Sequence, residues 1–108
     1  MKQIYTLKNG LKAIINTKQD KTLIDTLYIG GKDQTNGEDL MVHITQGGVP
    51  VFYLYCWSRY QGTIDRVEVL GEIGDPEVFS YIEANYRWLE EEDVKYLSSL
   101  GVNIIETA

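Results

Sequence analysis

The sequence predicts an α+β fold, with a mostly antiparallel sheet of about six strands followed by two helices. Short apolar runs separated by turn residues fill the first 70 residues, whereas the pattern from residue 74 onward has helical spacing. The links between the runs are short, so the strands should form an antiparallel meander. The 108 residues, 44% apolar and 24% charged, have the size and composition of a single domain, 1–108.

An asparagine–glycine pair predicts the first hairpin. QIYTL precedes Lys8, and LKAIINT follows Gly10. Asn9 and Gly10 can both adopt the positive φ that a two-residue hairpin turn requires. Such a turn would place Tyr5 opposite Ile14.

The next segments alternate between turns and strands. A turn is predicted at 18–21, and the run 22–29 is predicted to be a strand whose apolar face is interrupted by Asp25. Residues 30–39 contain no apolar side chain and are predicted to be a loop, with a candidate tight turn at Asn36-Gly37. The strands that follow are predicted at 40–45, 51–60 and 63–70.

Two helices are predicted after the strands. Asp75 and Pro76 are typical of the N-cap and first positions of a helix, and the first helix is predicted over 74–90. Its expected apolar stripe consists of Val78, Phe79, Ile82, Tyr86 and Leu89. The second helix is predicted over 90–101, with an acidic first turn and Gly101 as its stop. Residues 102–107 are a candidate final strand.

The strand VFYLYCWSRY contains the main structural ambiguity. Alternation places Tyr53, Tyr55 and Trp57 on one face of the sheet. A two-residue turn at Gly47-Gly48 would put these rings on the core side, under the helices, whereas a three-residue turn at 47–49 would put them on the same face as His43. The two-residue turn is favoured because Gly-Gly suits it. The ring tips should then find polar partners at the edge of the sheet.

Candidate reactive groups are few. With one cysteine, Cys56, no internal disulfide can form, and a single histidine, His43, cannot complete a closed zinc site with it. A mid-strand thiol is usually inert, and His43 is expected to be half-buried and hydrogen-bonded. The glycine-rich stretch 30–39 lacks the spacing of phosphate-binding loops. We therefore expect no cofactor, no metal and no enzymatic activity, although a Cys56–His43 pair on neighbouring strands is the catalytic alternative.

The charge is unevenly distributed. Residues 1–37 carry a net charge of +3 and residues 38–108 a net charge of −9, giving −6 overall. This acidity argues against direct nucleic-acid binding and favours a partner with a basic surface. No stretch is long and apolar enough for a signal peptide or a membrane helix, so a cytoplasmic protein without a membrane is expected.

The first functional hypothesis is a non-catalytic acidic interaction protein. Carboxylates flanking aromatic rings on the C-terminal helices have the composition of an interface that binds a basic protein, such as a nucleic-acid-handling enzyme. Small inhibitors made by mobile elements or viruses are one candidate class. The residues assigned to this surface are Tyr81, Glu83, Trp88, Glu90, Glu91, Glu92, Asp93 and Tyr96.

The alternative is a small-ligand or nucleotide-binding module on the aromatic strand 51–60. Aromatic rings could stack on a base, and an arginine could bind an anionic group. The residues of this alternative site are Tyr53, Tyr55, Trp57, Arg59 and Tyr60. The basic N-terminal hairpin could also contact the acidic helices of a second copy, so the sequence permits a homodimer.

Overall fold

The computed structural model describes residues 1–25, 36–59 and 65–102. In these residues, six strands form two antiparallel sheets and two helices follow them, which confirms the predicted α+β class. The strands are β1 (Lys2–Thr6), β2 (Lys12–Asn16), β3 (Lys21–Ile24), β4 (Asn36–Ile44), β5 (Pro50–Ser58) and β6 (Arg66–Glu72), and the helices are α1 (Pro76–Ala84) and α2 (Glu91–Ser99), with a 3-10 turn at Tyr86–Trp88 between them. The predictions for 26–35, Tyr60 and 103–107 lie outside the described residues.

The strands divide into a two-stranded hairpin, β1-β2, and a four-stranded sheet in the order β3-β4-β5-β6. The hairpin packs on one face of the larger sheet and the helices pack on the other. The hairpin-side cluster consists of Leu7, Ala13, Ile15, Met41, Val51 and Tyr53. The helix-side cluster consists of Leu23, Ile24, Leu40, Val42, Phe52, Leu54, Val78, Ile82, Leu97 and Val102. The larger sheet is therefore covered on both faces.

The first hairpin has a different register from the predicted one. Tyr5 lies opposite Ala13 and Ile4 lies opposite Ile14, so the pairing of Tyr5 with Ile14 is wrong. The Leu7 N–H donates to the Leu11 carbonyl at 2.8 Å, which leaves a three-residue loop over 8–10, and the Leu11 N–H donates to the Asn9 side-chain oxygen at 2.9 Å. This shift places both Ile4 and Ile14 on the outer face of the hairpin.

The turn between β4 and β5 matches neither predicted form. The Thr45 N–H donates to the Val49 carbonyl at 3.0 Å, and the Val49 N–H donates to Thr45 Oγ1 at 3.0 Å, which leaves a loop over 46–48. Val42 therefore lies opposite Phe52. The favoured two-residue turn is wrong, and the strand aromatics face the hairpin rather than the helices.

Strand β4 begins earlier than predicted. Asn36 and Gly37 pair with Ser58 and Trp57 of β5, so the predicted tight turn at Asn36-Gly37 is wrong. Residues 36–39 extend the pairing of β4 with β5 instead, because the backbone of β5 supplies hydrogen-bond partners as far as Ser58.

The first helix is shorter than predicted. It ends at Ala84, and the backbone N–H and side-chain amide of Asn85 both donate to the Tyr81 carbonyl, at 3.1 Å and 2.9 Å. The predicted apolar stripe is divided: Val78 and Ile82 are buried and Leu89 packs partly buried against the helix-side cluster, but Phe79 and Tyr86 are exposed.

The second helix agrees with its prediction. Glu90 and Asp93 form a reciprocal capping box at its start, and Gly101 follows its end. Asp75 occupies the N-cap position of α1, but its carboxylate accepts the Glu72 N–H at 2.7 Å instead of capping the helix.

Candidate functional site

The strand aromatics are mostly used within the fold. Tyr53 is fully buried in the hairpin-side cluster. Tyr55 is half-buried, and its hydroxyl donates to Asp65 at 2.5 Å. The Trp57 indole N–H donates to Asp39 at 3.1 Å. The expected polar partners at the ring tips are thus present, and the buried Tyr53 ring has no open face on which a ligand could stack.

Asp20 joins the hairpin corner to the larger sheet. Its side chain is only 8% exposed. Its Oδ1 lies 2.8 Å from His43 Nδ1, and its Oδ2 accepts hydrogen bonds from the Tyr53 hydroxyl at 2.8 Å and from the Asn16 N–H at 2.9 Å. Three donors from three different strands or turns therefore converge on one carboxylate, which holds these elements together.

His43 is half-buried and hydrogen-bonded, as predicted. It lines a cleft of about 580 Å³ between the tip of the first hairpin and the β4-β5 turn. An aspartate bound at one ring nitrogen can orient an imidazole as a general base. Among the described residues that line the cleft, Thr45 has the only side-chain hydroxyl, and this hydroxyl accepts the Val49 N–H within its own turn.

Cys56 and His43 lie on opposite faces of the sheet. Cys56 packs against the helix-side cluster, whereas His43 contacts Asp20 on the hairpin side. The Cys56–His43 pair considered as a catalytic alternative is therefore not assembled. Burial also raises the pKa of the Cys56 thiol, which favours its unreactive protonated form.

One group among the described residues has metal-ligand atoms close together. Glu38, Cys56 and Glu68 place a sulfur and two carboxylate oxygens within 4.8 Å of one another on β4, β5 and β6. The sequence did not indicate this group, because strand pairing brings its members together across 30 residues. Tyr81 closes one side by donating its hydroxyl to Glu38 at 3.3 Å.

Among the described residues, the most exposed aromatic side chains lie in the C-terminal part of the chain. Phe79 is 49% exposed, Tyr86 is 42% exposed and Trp88 is 41% exposed. We call residues 76–93 the acidic-aromatic segment, because six carboxylates and one basic residue, Arg87, surround these rings in the sequence. Exposed large aromatic groups beside charge are typical of binding surfaces.

The structure divides the residues predicted for this surface. The carboxylates of Glu83, Glu90, Glu91 and Glu92 belong to exposed residues, and Trp88 is exposed as well. Asp93 is half-buried in the capping box. Tyr81 and Tyr96 are half-buried against the helix-side cluster, and burial next to Glu38 raises the pKa of Tyr81.

Phe79 and Tyr86 were missing from the predicted surface. A continuous helix would place both of them on the buried stripe, because they are seven residues, or about two turns, apart. The helix ends between them, so this spacing no longer places them on one buried face. Asn85 was the available signal, because asparagine is disfavoured inside helices and common at their ends.

Alkaline pH should destabilise the protein through its tyrosines. The hydrogen bond to Asp65 and burial raise the pKa of Tyr55 from 10.0 to about 12. Between these values the unfolded chain loses a proton that the folded chain keeps, so the free energy of unfolding falls as pH rises. Urea unfolding across this window should show a shallower pH dependence for Tyr55→Phe. A pH dependence equal to that of the wild type would contradict the assignment of this effect to Tyr55.

Comparisons with protein-family models, curated proteins and solved structures gave no match for this chain. Neither helix in the described part of the chain has the length and apolar character needed to cross a membrane.

Proposed function

We propose that this chain is a non-catalytic interaction protein that binds a basic, arginine-bearing protein surface through the acidic-aromatic segment. The observation that carries the proposal is the exposure of Phe79, Tyr86 and Trp88 within 10 residues of one another. Each of these residues keeps 41–49% of its surface in water, and a partner that covered this surface would gain the free energy of burying it.

The charge of this segment indicates the chemistry of the partner. Glu83 lies one helical turn after Phe79, on the flank of α1 away from the buried Val78 and Ile82. Exposed carboxylates at Glu91 and Glu92 begin the next helix. A positively charged surface would be steered toward such a segment, and like-charged proteins would be repelled.

Arginine fits this surface better than lysine does. Its planar guanidinium group can stack on an aromatic ring and bind a carboxylate through two parallel hydrogen bonds. The Arg87 guanidinium already lies 5.0 Å from the centre of the Trp88 ring, an arrangement that a partner's arginine could reproduce on neighbouring rings. Covering a basic nucleic-acid-binding surface is the inhibitory activity that follows from this chemistry.

The small-ligand alternative on strand β5 has less support. Tyr53 is buried, and the polar groups of Tyr55 and Trp57 are bonded to aspartates. Arg59 lies 5.6 Å over the Trp57 ring. An anionic nucleotide would also meet the carboxylates of Asp39 and Asp65 at this strand.

The test is binding of labelled oligoarginine and oligolysine peptides of equal length, followed by fluorescence anisotropy at low and high salt. We expect oligoarginine to bind more tightly than oligolysine and both affinities to fall with added salt. Trp88→Ala and Glu83→Gln should each weaken oligoarginine binding about tenfold.

The charge-matched control is Glu68→Gln, which removes an exposed carboxylate from β6 instead of the acidic-aromatic segment. It should change the affinity much less than Glu83→Gln does. Equal losses in the two variants would mean that only net charge matters, and absence of binding at low salt would remove the proposal.

A further inference from the structure

The outer face of the first hairpin exposes a second apolar surface. Ile4 and Ile14 lie directly opposite each other, and they are 66% and 59% exposed. Leu11, in the adjoining loop, is also exposed. A pair of facing isoleucines on the water side of a two-stranded sheet is the reverse of the usual alternation, in which polar residues face the solvent.

This apolar pair lies between two positive charges. Lys2 precedes it on β1, and Lys12 precedes it on β2, so the ammonium-bearing residues stand at opposite ends of the same face. Lys12 Nζ donates to Thr6 Oγ1 at 2.5 Å, which holds that side chain along the hairpin. Residues 1–19 contain four lysines and no acidic residue. We call this surface, formed by Lys2, Ile4, Lys12 and Ile14, the outer hairpin face.

The outer hairpin face and the acidic-aromatic segment have complementary chemistry. One presents aliphatic side chains flanked by lysines, and the other presents aromatic side chains flanked by carboxylates. The hairpin and the helices cover opposite faces of the four-stranded sheet. The two surfaces therefore cannot meet within one chain and can meet only between two chains.

We propose that the outer hairpin face docks on the acidic-aromatic segment of a second copy of this chain. Burial of Ile4 and Ile14 against Phe79 or Trp88 supplies the apolar contact, and the flanking lysines meet carboxylates such as Glu83. This contact joins two different surfaces, so it produces a ring or an open chain, depending on whether its rotation closes. It occupies the same segment as a basic partner, so self-association and partner binding compete.

The test is a charge-swap experiment by sedimentation velocity at low salt. The hairpin variant K2E/K12E and the helix variant E83K/E92K should each associate at least about tenfold more weakly than the wild type. An equimolar mixture of the two should recover association, because reversed surfaces are again opposite in charge and the unchanged surfaces still fit each other. High salt should weaken association of the wild type.

Two further measurements separate this proposal from the proposed function. I4T/I14T keeps all charges and the β-branched shape of both side chains, and it should abolish association while retaining the circular dichroism of the wild type. K2E/K12E should still bind oligoarginine, because its acidic-aromatic segment is intact. A wild type that stays monomeric at high concentration would overturn the proposal, as would a mixture of the charge variants that does not associate.

Discussion

Replacing Asp20 by alanine should lower the free energy of unfolding by roughly 3–4 kcal/mol, as measured by urea denaturation. The substitution removes the acceptor for the side chains of Tyr53 and His43 and for the backbone N–H of Asn16. Tyr53 is fully buried, and none of the three donors gains an equivalent partner from a methyl group. An unsatisfied buried donor costs more than the hydrogen bond itself contributes, because it has lost its hydration.

Graded variants test whether the carboxylate acts as a shared acceptor. Tyr53→Phe removes one donor and leaves two bonds intact, so it should cost only about 1 kcal/mol. Asp20→Asn should cause an intermediate loss of stability. Its amide oxygen can still accept hydrogen bonds, but its NH₂ group would face another donor. Glu92→Ala, a surface control, should change stability by less than about 0.5 kcal/mol. If Asp20→Ala were no more destabilising than Tyr53→Phe, the three bonds could not be acting as one network.

Gly71→Ala should lower the free energy of unfolding by about 3 kcal/mol, because the substitution combines backbone strain with a steric collision. Gly71 lies on β6 opposite Phe52, next to a shift in the β5-β6 register, and its φ is 131°. A Cβ there would collide with the Asp75 carboxylate, which accepts the Glu72 N–H and pairs with Lys8 at 2.5 Å. The substitution therefore displaces the carboxylate that connects the end of β6 to the hairpin tip.

Gly74→Ala is the matched control for this prediction. Its φ of 98° is also in the left-handed region, but a Cβ at Gly74 would have no neighbour within 4 Å. Gly74→Ala should therefore lower the free energy of unfolding by about 1 kcal/mol, which is the cost of backbone strain without a collision. Urea denaturation of the two variants side by side measures the difference. Equal losses would mean that Asp75 moves aside without cost.

The part of the fold that could be predicted from sequence rests on local signals. Asn9 and Gly10 located the first hairpin, Asp75 and Pro76 located the start of α1, and the acidic run from Glu90 located the start of α2. Each signal depends on the conformational preference of the residue itself or on hydrogen bonds within one turn. Such preferences do not depend on distant parts of the chain.

Strand register could not be predicted from the same signals. The β1-β2 and β4-β5 turns each differ by one residue from the favoured form, and a side chain bonds within each turn: Asn9 accepts the Leu11 N–H, and Thr45 accepts the Val49 N–H. These bonds are each worth about 1 kcal/mol, similar to the difference between competing turns. One residue of register nevertheless moves every side chain of a strand to the other face.

The exposed residues of the acidic-aromatic segment could be predicted from the sequence only in part. Trp88 and Glu83 were assigned to it from composition, and both are exposed. Tyr81 was assigned to it as well, but it packs against the sheet and bonds to Glu38, 43 residues away in the sequence. Phe79 is predicted to face the core, but it lies on the flank of α1 beside the buried Val78 and Ile82 and is exposed. Exposure of a helical side chain depends on what packs against the helix, which its own spacing does not specify.

The sequence by itself determined the α+β class, the order of strands before helices and the separation of basic and acidic residues along the chain. Tertiary structure decided which face of β5 meets the helices and which aromatic side chains remain exposed. It also brought the Tyr53 hydroxyl within hydrogen-bond distance of Asp20. The physical reason is that local preferences act within a few residues, whereas burial and long-range hydrogen bonds depend on pairings that form only when the whole chain packs.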